Sequence, residues 1–298
     1  MADGGFTAGR DGAGAPDPAR VEALRSALET GGPEAAETFG QATLKDLAAV
    51  LERIGAESRH RDFLDCRDLL RALGHPLAGL DPTGLEPRRG LAGLFDGRGA
   101  RLRRFRARFE EVAATTAHIV EELQDRAGRL SRRIDTLETL RDRMRALVID
   151  LDAHVAAALA ARLPATRPET SGLADAVADL ARVVDTEGQD QPGPAMAAMA
   201  TRLAEISDHA VRRLAVIRMV QNAGAAATSA IASARDDLNR WRSDWREGLG
   251  LEGRRPRRIR PDRVALSRGL ATLRARLAEA DQALERARER HAEAERRL

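Results

Sequence analysis

The stretch LRRFRARFEEVAATTAHIVEEL, residues 102–123, decides the fold class of this chain. Apart from Thr116, apolar side chains recur in it at alternating spacings of three and four residues, the pattern of a helix that packs along a coiled-coil seam. The stripe continues to residue 158, and a second consecutive spacing of four, from Leu123 to Ala127, locally relaxes the supercoil. The pattern predicts one long amphipathic helix. Its first seam positions are Leu102, Phe105, Phe109, Val112, Thr116, Ile119 and Leu123.

A second long helix is predicted over residues 196–245, because apolar side chains again recur every three or four residues. Pro164 and Pro168 separate it from the first long helix. A final helix over residues 266–298 has the most regular heptad of the chain. Its narrow leucine and alanine seam requires a partner helix, in this chain or in another. That seam consists of Leu266, Leu270, Leu273, Leu277, Ala280, Leu284, Ala287, His291, Ala294 and Leu298.

Shorter helices are predicted elsewhere in the chain. Pro18 is expected to begin the first of them, since proline suits the first turn of a helix. The Gly-Gly-Pro of residues 31–33 is expected to end it, because both residue types disfavour a helix interior. Further short helices are predicted near residues 43–54, 58–73 and 173–184.

The composition also favours a helical fold. Aromatic residues make up only 3% of the chain and tyrosine is absent, while the alternating apolar pattern of strands does not occur. We therefore predict an all-α fold: an elongated antiparallel bundle of two long helices with short accessory helices and a C-terminal coiled-coil helix. The predicted segments are a disordered tail (1–18), a region of short helices (19–99), the long-helix core (100–252), and an Arg/Pro connector with the C-terminal helix (253–298).

The cysteine content favours a cytoplasmic protein, and the arginine bias reflects genome composition. Lys45 is the only lysine among 49 basic residues, an arginine bias that suggests a GC-rich genome. Cys66, the single cysteine, permits no disulfide framework and no thiolate metal cluster, which favours a reducing compartment. Its position beside Phe63 and Leu70 on a helix face predicts an inert, buried thiol. Neither a secretory leader nor an apolar run of about 20 residues occurs, so no transmembrane segment is expected.

Recognisable catalytic motifs are absent from the sequence. The 6 histidines form neither an HExxH motif nor a Cys/His pair at ligand spacing, and the phosphate-binding and nucleophile motifs GxxxxGK[ST] and GxSxG do not occur. Adjacent carboxylates such as Asp236 and Asp237 point to different sides of a helix. We therefore expect a protein that is not an enzyme and that requires no cofactor and no metal.

The hexapeptide IRMVQN, residues 217–222, places polar side chains on the seam of the second long helix. Gln221 and Asn222 allow two interpretations. They form a buried amide layer that sets the register between helices, or they bind a partner or ligand beside the small residues that follow. We name both residues as candidates for partner binding.

Two clusters of arginine with few intervening acids form the other candidate site. Basic charge at the start of a long helix opposes the helix dipole, which points to an anionic partner such as phospholipid headgroups, an acidic protein or nucleic-acid phosphates. Nucleic acid is the least supported, because no recognition motif occurs. The clusters comprise Arg98, Arg101, Arg103, Arg104, Arg106 and Arg108, then Arg254, Arg255, Arg257, Arg258, Arg260 and Arg263. The predicted partner-binding residues among them are Arg101, Arg104, Arg108, Arg254, Arg255, Arg257 and Arg258.

Several short motifs occur in the order found in a known family. They are TFGQ (38–41), LDPTGL (80–85), GLAGLF (90–95), RRFRARFE (103–110), IRMVQN (217–222), WR (241–242) and GLGL (248–251). Over roughly residues 35–252 the chain thereby resembles the bacterial toxic anion resistance family, the TelA-like proteins associated with tellurite resistance. One departure is that the family usually has a run of asparagines after the glutamine, whereas Ala223 and Gly224 follow Asn222 here.

The resemblance implies a cytoplasmic protein that serves in tolerance of tellurite, other toxic oxyanions or envelope stress, with no established reaction. We predict a non-catalytic resistance protein that binds or organises partners in stress tolerance. The alternative is a structural coiled-coil adaptor at the inner membrane surface or with another anionic partner. Direct capture of an oxyanion by arginine is disfavoured, because nearby acids neutralise most arginines. Protein partners are expected, with self-association through residues 266–298 and peripheral contact with anionic lipid as further possibilities.

Overall fold

The computed structural model describes residues 15–86, 97–161, 194–253 and 255–298. Every regular element in these ranges is helical, which confirms the predicted all-α class. In chain order they are α1 (Pro18–Thr38), α2 (Gln41–Ser58), α3 (Asp62–Ala72), α4 (Gly74–Ala78), a 3-10 turn (Pro82–Leu85), α5 (Arg98–Ala160), α6 (Pro194–Gly248) and α7 (Arg263–Glu295). Within the described ranges, no helix has both the length and the apolar character needed to cross a bilayer.

Several sequence predictions concern residues outside the described ranges. They are most of the predicted disordered tail, the GLAGLF motif at 90–95, the short helix at 173–184, and Arg254 in the second arginine cluster. These remain predictions.

The chain forms two compact units. Unit 1 contains the described parts of residues 1–56 and 138–217, together with Leu298. Unit 2 contains the described parts of residues 57–137 and 218–297. The long helices α5, of 63 residues, and α6, of 55 residues, contribute to both units, and the prediction of two long helices is confirmed. The four-segment division remains a prediction.

Asp150 of α5 joins two short helices to the long-helix core of unit 1. Arg20 of α1 contacts one carboxylate oxygen at 2.9 Å, and Thr43 of α2 donates a hydrogen bond to the other at 2.8 Å. Burial opposes ionisation of Asp150, but the hydrogen bonds from Arg20 and Thr43 hold its pKa below the ordinary value. Two residues further along α5, Asp152 accepts a hydrogen bond of 2.7 Å from Ser207 of α6. Polar contacts therefore fix α1, α2 and α6 to one segment of α5.

The predicted end of the first helix at residues 31–33 is wrong. Helix α1 continues through the Gly-Gly-Pro to Thr38. Each glycine costs about 1 kcal/mol in a helix interior, and a proline costs about 3 kcal/mol because it removes one backbone hydrogen bond and crowds the preceding turn. Strong helix formers follow at Glu34, Ala35 and Ala36, and the buried Leu28 anchors the preceding turn. Packing and propensity on both sides therefore outweigh the local interruption.

An aromatic cluster joins α5 and α6 in unit 2. Phe109 lies 5.6 Å from both Trp241 and Trp245, measured between ring centroids. Farther along α5, Ile134 packs against Gly224, where a Cβ atom would lie 3.1 Å from the isoleucine side chain. The later residue of α5, Ile134, therefore contacts an earlier residue of α6 than Phe109 does. The two helices are antiparallel in this unit, as predicted.

The seam of α7 is buried within the chain. Its leucines and alanines from Leu266 to Ala294 are buried, together with His291. Arg67 of α3 forms ion pairs with Asp281, at 2.9 Å, and with Glu285. The seam therefore finds its partner within this chain, and self-association through it would first require α7 to leave unit 2.

Candidate functional site

The two predicted arginine clusters meet at one groove of unit 2. The first turns of α5 and the connector between α6 and α7 line this groove, which has a volume of about 1430 Å³. We call it the arginine groove. Its charged lining residues are Arg101, Arg103 and Arg106 from α5, Arg257, Arg258, Arg260 and Arg263 from the connector and the start of α7, and Glu86 and Glu110. The lining therefore carries an excess of five positive charges.

Arg106 holds the connector in place through backbone contacts. Its Nε donates to the carbonyl oxygen of Leu249 at 2.8 Å, and its Nη2 donates to that of Arg257 at 2.9 Å. The Arg257 amide in turn donates to the Gly250 carbonyl at 2.8 Å. Partial burial lowers the pKa of Arg106, yet an arginine remains charged at physiological pH. Arg106 thus fixes the backbone that carries the second arginine cluster.

Gly250 permits the turn that returns the connector to α5. Its φ of +63° lies in the left-handed region, which glycine adopts without the steric cost of a Cβ atom. A Cβ there would also lie 3.0 Å from the side chain of Ile259. The close approach of Ile259 depends on the absence of a side chain, so the GLGL ending of the second long helix has a structural reason.

Both acids of the groove are paired with arginines. Glu86 forms an ion pair with Arg263, and its backbone carbonyl accepts a hydrogen bond of 3.1 Å from Arg101. Glu110 lies 3.7 Å from Arg246. The remaining groove arginines include three exposed side chains that have no ion pair and no hydrogen bond with any described residue. These are Arg103, Arg258 and Arg260.

The structure divides the predicted arginines between the groove and other surfaces. Arg101, Arg257 and Arg258 line the groove. Arg104, Arg108 and Arg255 are exposed but do not line it, and Arg108 contacts Glu111 at 3.1 Å.

Four further groove arginines belong to the predicted clusters but were not among the predicted partner-binding residues. They are Arg103, Arg106, Arg260 and Arg263. Helical spacing could have identified the first two, because residues 99, 103, 106 and 110 share one face of α5.

Gln221 and Asn222 point to different environments. Gln221 is 6% exposed, whereas Asn222 is exposed. Gly224, three residues after Gln221, packs against Ile134 of α5. Neither amide lines the arginine groove. The burial of Gln221 is what a register-setting amide requires, and partner binding by this pair stays a prediction.

Cys66 is a buried thiol, as predicted. Its residue exposure is 0%, and burial raises the pKa of the thiol to about 12. The thiolate is the reactive form, so the folded protein presents almost none of it at neutral pH.

We expect Cys66 to resist a thiol reagent such as DTNB in the native protein at pH 8 and to react at once in denaturant. Absorbance of the released thionitrobenzoate measures both rates. Stoichiometric labelling of the native chain within minutes would contradict the inert role.

A histidine pair, which the sequence pattern does not reveal, lies elsewhere in unit 2. The rings of His60 and His291 are 4.8 Å apart, and Phe63 contacts both. The pKa of His60 is lowered to about 4, first by burial and then by repulsion from His291. His291 also has a lowered pKa because it is buried. The two residues are far apart in sequence, so only the packing of α7 brings them together.

Comparisons with known proteins identify one family. The family model described as toxic anion resistance protein (TelA) matches residues 21–187, more than half of the chain. The match includes the TFGQ, LDPTGL and RRFRARFE motifs and ends before IRMVQN. Neither the curated proteins nor the solved structures contain a match.

Proposed function

This chain belongs to the toxic anion resistance (TelA) family, and we propose that it serves tolerance of tellurite and related anions without catalysing a reaction, by binding an anionic partner in the cytoplasm. The observation that carries the proposal is the arginine groove, in which three exposed arginines have no acidic partner among the described residues. Charges left uncompensated at a concave surface attract and orient an anionic partner.

The chemistry of the groove supports binding more than proton transfer. A guanidinium group stays protonated at physiological pH, so it neither takes nor gives a proton as a general acid or base does. It donates several hydrogen bonds in a planar fork that matches carboxylate and phosphate oxygens. Seven such groups with two paired glutamates make a recognition surface.

A second candidate function rests on the same excess of positive charge. An adaptor that docks on anionic lipid at the inner membrane surface would also use an uncompensated basic surface, since each nearby basic residue contributes about 1 kcal/mol to such binding. Pelleting with phosphatidylglycerol vesicles separates this adaptor from a protein-binding role.

Growth of the host in tellurite tests the proposed function. We expect deletion of the gene to lower the tellurite concentration that halves growth, and native-level expression of the intact chain to restore it. The Arg258→Gln/Arg260→Gln variant is expected to fail to restore tolerance, because it removes two unpaired charges of the groove. The matched control is Arg202→Gln/Arg218→Gln, which removes two exposed arginines outside the groove.

Equal rescue by both double variants would overturn a role for the groove in resistance. A third variant, Gln221→Leu/Asn222→Leu, tests the other predicted site on the same growth curve. If only that variant failed to restore tolerance, the resistance function would depend on the amides of α6 and not on the groove. An unchanged dose-response on deletion would overturn the resistance role itself.

A further inference from the structure

We propose that the arginine groove is a docking site for an acidic polypeptide segment of a partner protein, one that carries apolar side chains between its carboxylates. The proposal rests on the proposed function and names the class of partner that the groove would bind. Three properties of the groove point to this occupant: its size, its mixed lining and the way its arginines are held.

The size of the groove exceeds what a single inorganic anion needs. Small-molecule pockets are typically about 300–1,000 Å³, and an oxyanion such as tellurite fills only a small part of that. A groove of about 1430 Å³ suits an extended ligand that contacts several arginines at once. Multiple contacts also overcome the weakness of a single exposed ion pair, which contributes at most about 1 kcal/mol.

Apolar side chains accompany the arginines along the groove. Leu85, Leu102 and Ile259 are half-buried, and Leu251 is buried. Such side chains give an acidic segment with interspersed apolar residues a second set of contacts, because the removal of apolar area from water stabilises a complex. A free oxyanion uses only the charges.

The lining also distinguishes a polypeptide from other polyanions. No aromatic side chain is among the described residues that line the groove, whereas proteins that hold single-stranded nucleic acid stack bases on aromatic rings. Among the described residues, the exposed large apolar side chains are Leu64, Leu159 and Val264, and none of these three lines the groove either. A membrane-docking surface would place such side chains beside its basic residues so that they enter the lipid.

Internal contacts hold the groove ready for a ligand. Arg106 anchors the connector at two carbonyl oxygens, and Arg263 pairs with Glu86, which also lines the groove. These contacts leave Arg103, Arg258 and Arg260 available to carboxylates. Ligands bind more tightly to a site that is already ordered, because less conformational entropy is lost on binding.

Fluorescence anisotropy with a fluorescein-labelled peptide of repeating Glu-Glu-Leu triplets tests the proposal on the full chain. We expect saturable binding that weakens as salt is raised, since salt screens exposed charges. Arg258→Gln/Arg260→Gln is expected to weaken binding at least about tenfold, whereas the matched Arg202→Gln/Arg218→Gln control leaves it unchanged. A Gln-Gln-Leu peptide is expected not to bind. Circular dichroism confirms that each variant keeps the helical content of the parent.

Competing ligands are measured in parallel by vesicle pelleting with phosphatidylglycerol, anisotropy with labelled oligothymidine, and calorimetry with tellurite. Binding of any of these that depends on Arg258 and Arg260, without binding of the acidic peptide, would overturn the proposal and identify the true ligand class. Equal peptide binding by the groove variant and the parent would overturn it as well.

The growth assay tests the proposed function and the binding assay tests the proposed partner, so each proposal can be overturned without the other. A groove variant that loses tolerance but binds the peptide normally leaves the resistance function standing and overturns the acidic-segment partner. A variant that loses peptide binding but restores tolerance supports the docking site and overturns its role in resistance.

Discussion

The Trp245→Ala variant is expected to lose about 3–5 kcal/mol of unfolding free energy, the cost typical of truncating a large buried aromatic side chain. Trp245 is 2% exposed and is the largest of the fully buried side chains. Its ring lies 5.2 Å from that of Trp241 and 5.6 Å from that of Phe109, between centroids. Truncation to alanine removes these contacts and leaves a cavity that the surrounding helices cannot fill without moving.

Trp245 of α6 also contacts α7, the third long helix of unit 2. A Cβ atom at Gly269 of α7 would lie 3.3 Å from its indole nitrogen, so α7 approaches the ring closely. The indole N–H has no hydrogen-bond partner among the described residues, so the expected loss comes from packing alone. One side chain therefore links α5, α6 and α7.

Urea unfolding followed by tryptophan fluorescence measures this effect in unit 2, because the chain has only 2 tryptophans, both lie in that unit, and Trp241 remains in the variant. The control is Val264→Ala, at a side chain that is 56% exposed, and we expect it to change stability by less than about 0.5 kcal/mol. If Trp245→Ala unfolded at the same urea concentration as the parent, the aromatic cluster would not stabilise unit 2.

The helices of this chain were largely predictable because their seams repeat over many turns. A periodic stripe is local information: each apolar side chain in the seam of α5 or α7 supports the same helix and the same buried face. The wrong prediction at residues 31–33 has the opposite cause. It relied on one interruption, and a helix survives a glycine pair and a proline when the turns on both sides are well formed or packed.

The arginine groove was predictable only in its parts. Both clusters are visible as runs of arginine in the sequence, but their meeting depends on backbone contacts between positions more than a hundred residues apart, such as Arg106 with Leu249. Which arginines remain unpaired is likewise a result of packing, since the fold places Glu86 beside Arg263 and no acid among the described residues beside Arg103. The His60–His291 pair arises in the same way and leaves no local pattern.

That histidine pair is expected to make unit 2 sensitive to acid. In the folded state burial, followed by repulsion from His291, lowers the pKa of His60 from 6.5 to about 4, and the side chain is only 7% exposed. Between these two pH values the unfolded chain binds a proton that the folded chain does not. Stability from this group is therefore complete above pH 6.5 and is lost as the pH falls toward 4, by at most about 3 kcal/mol.

Other charged groups near the pair modify this loss without reversing it. Asp62 lies 3.5 Å from His60 and favours its protonation, whereas Arg133 opposes it. Glu295 favours protonation of His291, but burial outweighs it. The carboxyls of Asp150 and Asp281 have pKa values below their ordinary 3.8, so the stability that they contribute is lost only at lower pH. The window from pH 6.5 to 4 therefore reports mainly on the histidines.

Replacement of His291 by leucine tests whether the histidine pair, and not the other titratable groups, causes the loss of stability in acid. The Nε2 atom of His291 has no hydrogen-bond partner among the described residues, and leucine matches the neighbouring seam positions. We expect His291→Leu to raise the unfolding free energy at pH 7 by about 1 kcal/mol and to reduce its fall toward pH 4, because the repulsion that lowers the pKa of His60 disappears. Urea titrations at both pH values measure the change.

His118→Gln, at a side chain that is 70% exposed, is the matched control and should retain the parent's pH dependence. An equal fall in stability for His291→Leu and the parent would show that groups other than this pair govern the acid response.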